Sequence, residues 1–154
     1  MKKVNKKLII TQLDKKIAAG RVLRDIPPPS NGWIAAARTA LNMSLKQLGK
    51  RLGIAPSSVK ELELREKSGS ITVNGLRQAA QALDMRLVYI LIPNEGSLDA
   101  YIEKTASRLA AEIVNRTSQT MKLEKQGNSE ERLAQAIKEK TEELIREMPS
   151  FLWD

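Results

Sequence analysis

The sequence predicts a mainly α-helical protein with one β-strand, and three observations carry that prediction. Apolar residues recur every three or four positions over most of the 154 residues. Two such patterns meet in "SLKQLGKRLGIAPSSVKELE", residues 44–63, at a glycine followed by Ile54, Ala55 and Pro56. The period changes once, in "MRLVYILIP", residues 85–93, a β-branched and aromatic run closed by Pro93.

Taken in order, residues 4–19 read as a helix with Ile9, Leu13 and Ile17 spaced by four and Gly20 as its stop. "DIPPPSNG", residues 25–32, is a stiff, extended connector because its three prolines cannot continue a helix. Four helical patterns follow. Trp33 to Leu41 places Ile34, Ala37 and Leu41 on one face, and Ser44 to Leu52 does the same with Leu45, Leu48 and Leu52. Pro56 to about Lys67 turns Val59 and Leu62 inward, and Thr72 to Leu83 turns in Leu76, Ala80 and Leu83.

The junction between the middle two is the most specific part. Ser44 with Gln47 fits a capping box, and Gly53 suits a left-handed stop. Pro56 suits the first helical position, where no N–H is needed. Ala55 is a poor cap, so the cap is expected to shift to Ser57. Gly49 inside a helix costs about 1 kcal/mol against alanine, which implies that another helix crosses closely there.

Residues 85–96 are read as the strand. A lone strand leaves its N–H and C=O groups unpaired, so Leu87, Val88, Tyr89, Ile90 and Leu91 are expected to pair with the same strand of a second copy, giving a homodimer. The alternatives are a helix tail or pairing within the chain. Beyond it, Ser97 to about Leu123 is a long helix with Leu98, Ile102, Leu109 and Ile113 as its apolar stripe. "KQGNSEE" breaks that helix, and Ser129 caps a last one, which runs to about Met148 with Leu133, Ile137 and Leu144 inward. Phe151, Leu152 and Trp153 are expected to fold back on their own helix, with a docking site for a partner as the alternative.

Composition narrows the function. There is no cysteine and no histidine, which removes thiolate nucleophiles, imidazole bases and zinc clusters. The carboxylate pairs Glu130-Glu131 and Glu142-Glu143 lie on a solvated helical pattern with no nucleophile beside them. Neither an enzyme nor a metal or cofactor site is expected. No apolar run approaches the ~20 residues of a membrane span, and the basic N-terminus, whose apolar part is short and then charged, is not expected to act as a signal peptide. A cytoplasmic, nucleoid-associated protein is expected. Charge is divided unevenly: residues 1–84 hold 16 Lys/Arg against 6 Asp/Glu, whereas residues 85–154 hold 10 against 12. An excess concentrated in one half is the footprint of a surface that neutralises phosphates. With the junction at 44–63, it points to a helix-turn-helix that binds double-stranded DNA.

Residues 33–84 resemble the helix-turn-helix domain of the Cro and lambda-repressor (XRE) type through Arg38, Ser44, Leu48-Gly49, Leu52-Gly53, Val59, Glu63 and the helix from Thr72 to Leu83. The stretches "GWIAAARTALNMSLKQLGKRLGI", "LRQAAQALDMRLVYILIP" and "EIVNRTSQTMKLE" are similar to the family called mobile mystery protein A. That family is associated with a neighbouring Fic-domain protein, an AMP-transferring toxin fold. The resemblance implies a five-helix lambda-repressor-like domain, and an antitoxin-type repressor that binds its own promoter and its toxin. It also implies a structural ion pair between Arg38 and Glu63.

By the same resemblance the helix from Pro56 lies in the major groove, with Pro56, Ser57, Ser58, Lys60 and Glu61 facing bases. Ser44, Lys46, Arg65, Lys67 and Thr72 are placed for phosphates. Leu45 and Pro56 stand where the family usually has glutamines, which shifts specificity toward DNA shape. Thr120 to Glu124 and Ser57 to Glu61 both fail to complete the hexapeptide by which some Fic inhibitors are recognised.

The organisation expected is a basic helix and connector (1–32), a DNA-binding domain (33–84), a dimerising strand (85–96) and a helical region for assembly or toxin binding (97–154). Lysines of "MKKVNKKLIITQLDKK" either follow phosphates or face water while the helix packs on the C-terminal helices. A stand-alone phage-type repressor and a protein-binding inhibitor without DNA binding are the rival readings.

Overall fold

The computed structural model describes residues 3–124 and 130–154, with side chains for 5–118 and 130–154. Seven α-helices occupy the described residues: α1 (Lys3–Ala19), α2 (Trp33–Ala40), α3 (Leu45–Leu52), α4 (Pro56–Ser68), α5 (Val73–Ala82), α6 (Leu98–Glu124) and α7 (Glu130–Glu147). Short 3-10 turns lie at Arg21–Asp25 and Ser150–Trp153. The chain forms two compact units, residues 24–90 and residues 1–23 with 91–154.

The expected dimerising strand is corrected by the structure: there is no β-strand among the described residues. The Met85 N–H still closes the end of α5 on the Ala80 carbonyl, at 2.7 Å. From Arg86 to Ile92 no backbone group is hydrogen-bonded among the described residues. Leu87, Val88, Tyr89, Ile90 and Leu91 therefore run as irregular chain, with Val88, Tyr89 and Leu91 67%, 68% and 88% exposed. The physical reason is that β-propensity records fit to a pleated, paired surface rather than a preference of the isolated backbone. Without a neighbouring ladder the propensity has nothing to act on.

Unit 24–90 is built on Ile34, Leu48, Val59, Ala79 and Leu83, all buried, with Leu45, Leu52, Leu62 and Leu76 packed round them. The expected five helices are four in this unit, α2 to α5, because the chain after α5 continues as irregular backbone, and all four end alike. Asn42, Gly53, Gly69 and Asp84 each take a left-handed φ, of 52°, 72°, 85° and 59°. The next N–H then reaches five residues back: Met43 to Arg38, Ile54 to Gly49, Ser70 to Arg65 and Met85 to Ala80. This bond satisfies a carbonyl that the helix end would otherwise orphan. "ALNM" and "ALDM" are thus one device used twice, with asparagine and aspartate tolerating the left-handed region that glycine takes elsewhere.

The other unit packs α6 on α7 around Ile102, Ala106, Ala110, Leu144 and Leu152. Leu144 near the end of α7 shares this core with Ile102 near the start of α6, as an antiparallel pair would place them. The fully buried Ala106 and Ala110 let the helix axes approach closely. α1 contributes Ile10 and a buried Ile17. The Asp14 carboxylate accepts the Leu98 and Asp99 N–H groups at 2.7 and 3.1 Å, which caps α6 from another helix. Leu152 is buried on this core, carrying Trp153 back beside Tyr101. The break at "KQGNSEE" and the cap at Ser129 lie outside the described residues, while Glu130 and Glu131 open the first turn of α7.

Candidate nucleic-acid interface

α3 and α4 are joined by three residues, and the sequence explains how the turn closes. The Ser44 hydroxyl accepts the Gln47 N–H at 3.0 Å and the Gln47 side chain accepts the Ser44 N–H at 2.8 Å, a complete capping box. Gly53 ends α3 at φ 72°. What presses on Gly49 is the turn itself. A Cβ there would lie 2.6 Å from the Ile54 carbonyl oxygen and 3.4 Å from Val59 Cγ2. α4 then starts at Pro56 with Ala55 as its N-cap and no side-chain cap. The expected shift of the cap to Ser57 does not occur, because extended φ/ψ at Ala55 (−70°, 153°) already sets the helix entry that proline then fixes.

Val59 is fully buried and turns the opposite side of α4 outward. Pro56, Ser57, Lys60 and Glu61 are exposed on it, and Ser58 is half-buried. Leu64 falls on the same stripe, 53% exposed. Inward-only bookkeeping of leucines overlooks it, although the spacing 57, 60/61, 64 marks the face. Glu61 is not isolated: Arg65 Nη2 donates to Glu61 Oε1 at 2.5 Å across one helical turn. Both side chains are more than half exposed, so the pair orients the two groups rather than stabilising the fold appreciably.

Ser44, Lys46, Arg65, Lys67 and Thr72 are all exposed. The Thr72 oxygen accepts the Gly75 N–H at 2.9 Å as the cap of α5, and its hydroxyl remains able to donate outward. The remaining polar contacts brace the scaffold. Arg38 Nε and Nη2 donate to the two Glu63 carboxylate oxygens at 2.8 and 3.2 Å, and Nη1 donates to the Met43 carbonyl at 2.9 Å. α2, α4 and the loop after α2 are tied by that one guanidinium. Glu66 was not singled out by the sequence. Its carboxylate accepts the Trp33 and Ile34 N–H groups, both at 2.8 Å, capping α2 from α4. Gly32, at φ 88°, makes room for it: a Cβ would sit 2.7 Å from Glu66 Oε1.

Unit 24–90 carries 10 Lys/Arg against 5 Asp/Glu. Of the five acids, Glu63 and Glu66 are engaged with Arg38 and with the amides of α2. Among the described residues no helix is long and apolar enough to cross a membrane.

Comparison with known proteins agrees with this geometry. The family described as Helix-turn-helix matches residues 34–90. No curated protein matches the chain, and no solved structure does. Residues 34–90 are a helix-turn-helix domain, the fold of DNA-binding regulators.

Proposed function

We propose that this protein is a sequence-specific transcriptional repressor whose α4 enters the major groove of an operator near its own gene. One observation carries the reading: α4 buries Val59 completely and offers Ser57, Lys60 and Glu61 to solvent. Serine can bond to any base edge, lysine suits a guanine edge or a phosphate, and glutamate accepts from a cytosine amino group. Lys46, Arg65 and Lys67 are exposed cations that would set register on the backbone. The Glu61–Arg65 pair holds that arginine at the rim of the groove.

The test is binding of DNA from upstream of the reading frame by fluorescence anisotropy. Replacing Ser57 and Lys60 together by alanine should weaken specific binding by about tenfold or more, since a good base contact is worth about 1–3 kcal/mol. Both side chains are exposed, so the fold should survive. Affinity should also fall by a factor of about 10³ between about 50 and 200 mM salt. Unchanged binding by the double variant would remove α4 as the reader.

Two copies per operator are part of the proposal. Its support is a shallow groove of about 300 Å3 on the domain, walled by Trp33, Leu83, Met85 and Val88, three of which are about half exposed or more. Contact there would be between side chains and involve no shared strand. The finer role, antitoxin and autoregulator of a Fic-type toxin, rests on the resemblance to mobile mystery protein A. Co-purification with the neighbouring gene product tests it, and absence of any complex would leave a stand-alone repressor.

A further inference from the structure

The C-terminal turn and one stripe of α6 enclose a feature that DNA binding does not use. Tyr101, Lys104 and Arg108 lie at i, i+3 and i+7 on α6, hence on one side of it. Trp153 closes over that stripe, its ring centroid 5.2 Å from that of Tyr101 at an interplanar angle of 35°. Burial of Leu152 on the core holds the indole there. The pocket they line has a volume of about 480 Å3, within the range that small-molecule sites occupy. Both rings remain about half exposed, at 44% and 46%.

The charges on its rim differ in availability. Lys104 Nζ donates to Glu95 Oε1 at 2.6 Å and is thereby neutralised. Arg108 is exposed and makes no hydrogen bond or ion pair among the described residues. Asp154 lines the same pocket. An unengaged guanidinium beside two partly open aromatic rings offers a planar fork to an anion and a π surface to a ring. The Glu95 and Asp154 carboxylates offer acceptors to an N–H.

We propose that this pocket binds a small aromatic anion: a planar ring that carries a carboxylate or phosphate for Arg108 and an N–H donor for the acidic rim. Nucleotides and aromatic amino acids share that chemistry, and the experiment separates them. The chain has two tryptophans, so 1H–15N spectra of the labelled full-length protein contain two indole N–H signals, assigned with Trp33→Phe. Titration uses guanosine 5′-monophosphate and, separately, L-phenylalanine. Guanosine, inorganic phosphate and phenethylamine, each lacking one element, serve as controls.

The Trp153 signal should shift saturably with at least one of the two complete probes and much less with its controls, while the Trp33 signal stays in place. Arg108→Ala should weaken binding by about tenfold or more, since a charge-assisted bond is worth about 1.5–3 kcal/mol. Arg108→Lys should recover part of it. Four outcomes would overturn the proposal: no saturable shift with either probe, an equal shift of both indoles, a shift that phosphate alone reproduces, or undiminished binding by Arg108→Ala. The result does not depend on whether the other unit binds DNA.

Discussion

Replacing Gly49 by alanine sets two opposed effects against each other, and the structure decides between them. In an ordinary helix interior alanine is better than glycine by about 1 kcal/mol. Here the added Cβ would lie 2.6 Å from the Ile54 carbonyl oxygen, where ordinary contact begins at 3.4 Å. The shortfall of 0.8 Å falls on backbone. That carbonyl cannot swing aside freely, because the Ile54 N–H is bonded to Gly49 itself at 2.9 Å and Gly53 is already left-handed. Overpacking costs about 1–3 kcal/mol, and a rigid obstacle puts this site at the upper end. The net expectation is a loss of about 1–2 kcal/mol despite the better helix former. Gly75→Ala is the comparison, since the nearest atoms its Cβ would meet are side-chain atoms of Ile71 and Thr72, at 3.2 Å, rather than backbone; it should cost less than Gly49→Ala. The assay is urea unfolding followed by Trp33 fluorescence in a Trp153→Phe background, which reports on the DNA-binding unit alone. A Gly49→Ala protein as stable as its parent would refute the argument that the turn is pressed against α3.

Three further substitutions test the braces. Glu66→Gln leaves an amide N–H facing one of the two α2 amides that the carboxylate now satisfies, and should cost about 1–3 kcal/mol in the same unfolding assay. Asp14→Asn weakens the equivalent cap on α6; trypsin should then cleave α1 at Lys7, Lys15 or Lys16 faster, with the DNA-binding unit unaffected. Arg38→Ala strands the buried Glu63, which is 3% exposed, and should cost about 3–5 kcal/mol, whereas Arg38→Met with Glu63→Leu should recover most of that loss.

The helices of the DNA-binding unit were legible because their signals are local. Ser44 and Gln47 are three apart, Gly53 stops α3, and Pro56 starts α4, so a short window contains the whole statement. The helix ends at Asn42 and Asp84 follow the same geometry but do not look like stops, since their residue types also occur in many other settings. Glu66 is 33 residues from Trp33 and Asp14 is 84 from Leu98, so caps supplied by another helix leave no pattern in sequence. Ala106 and Ala110 were passed over for larger neighbours, yet their small size is what admits α7. The run at 85–93 misled because β-branched residues promise a strand only where a ladder exists to receive them.

The bracing acids also bear on how DNA would be read. Glu63 faces Arg38 and Glu66 faces the start of α2, so neither contributes to the surface around α4. Glu61 is the acid left on that stripe, and Arg65 already holds it. Leu45 at the start of α3, Pro56 at the start of α4 and Leu64 further along it cannot hydrogen-bond a base, which leaves Ser57, Lys60 and the engaged Glu61 for direct contact. With α4 in the groove as proposed, a face with so few base-reading groups, and with Lys46, Arg65 and Lys67 exposed, would bind the backbone more strongly than it reads the bases. Discrimination between operators would then fall on groove width and the cost of bending. An operator mutated at base pairs outside the α4 contact should therefore lose affinity comparably to one mutated within it, and a sharp loss confined to two or three contacted pairs would place the specificity back in Ser57 and Lys60.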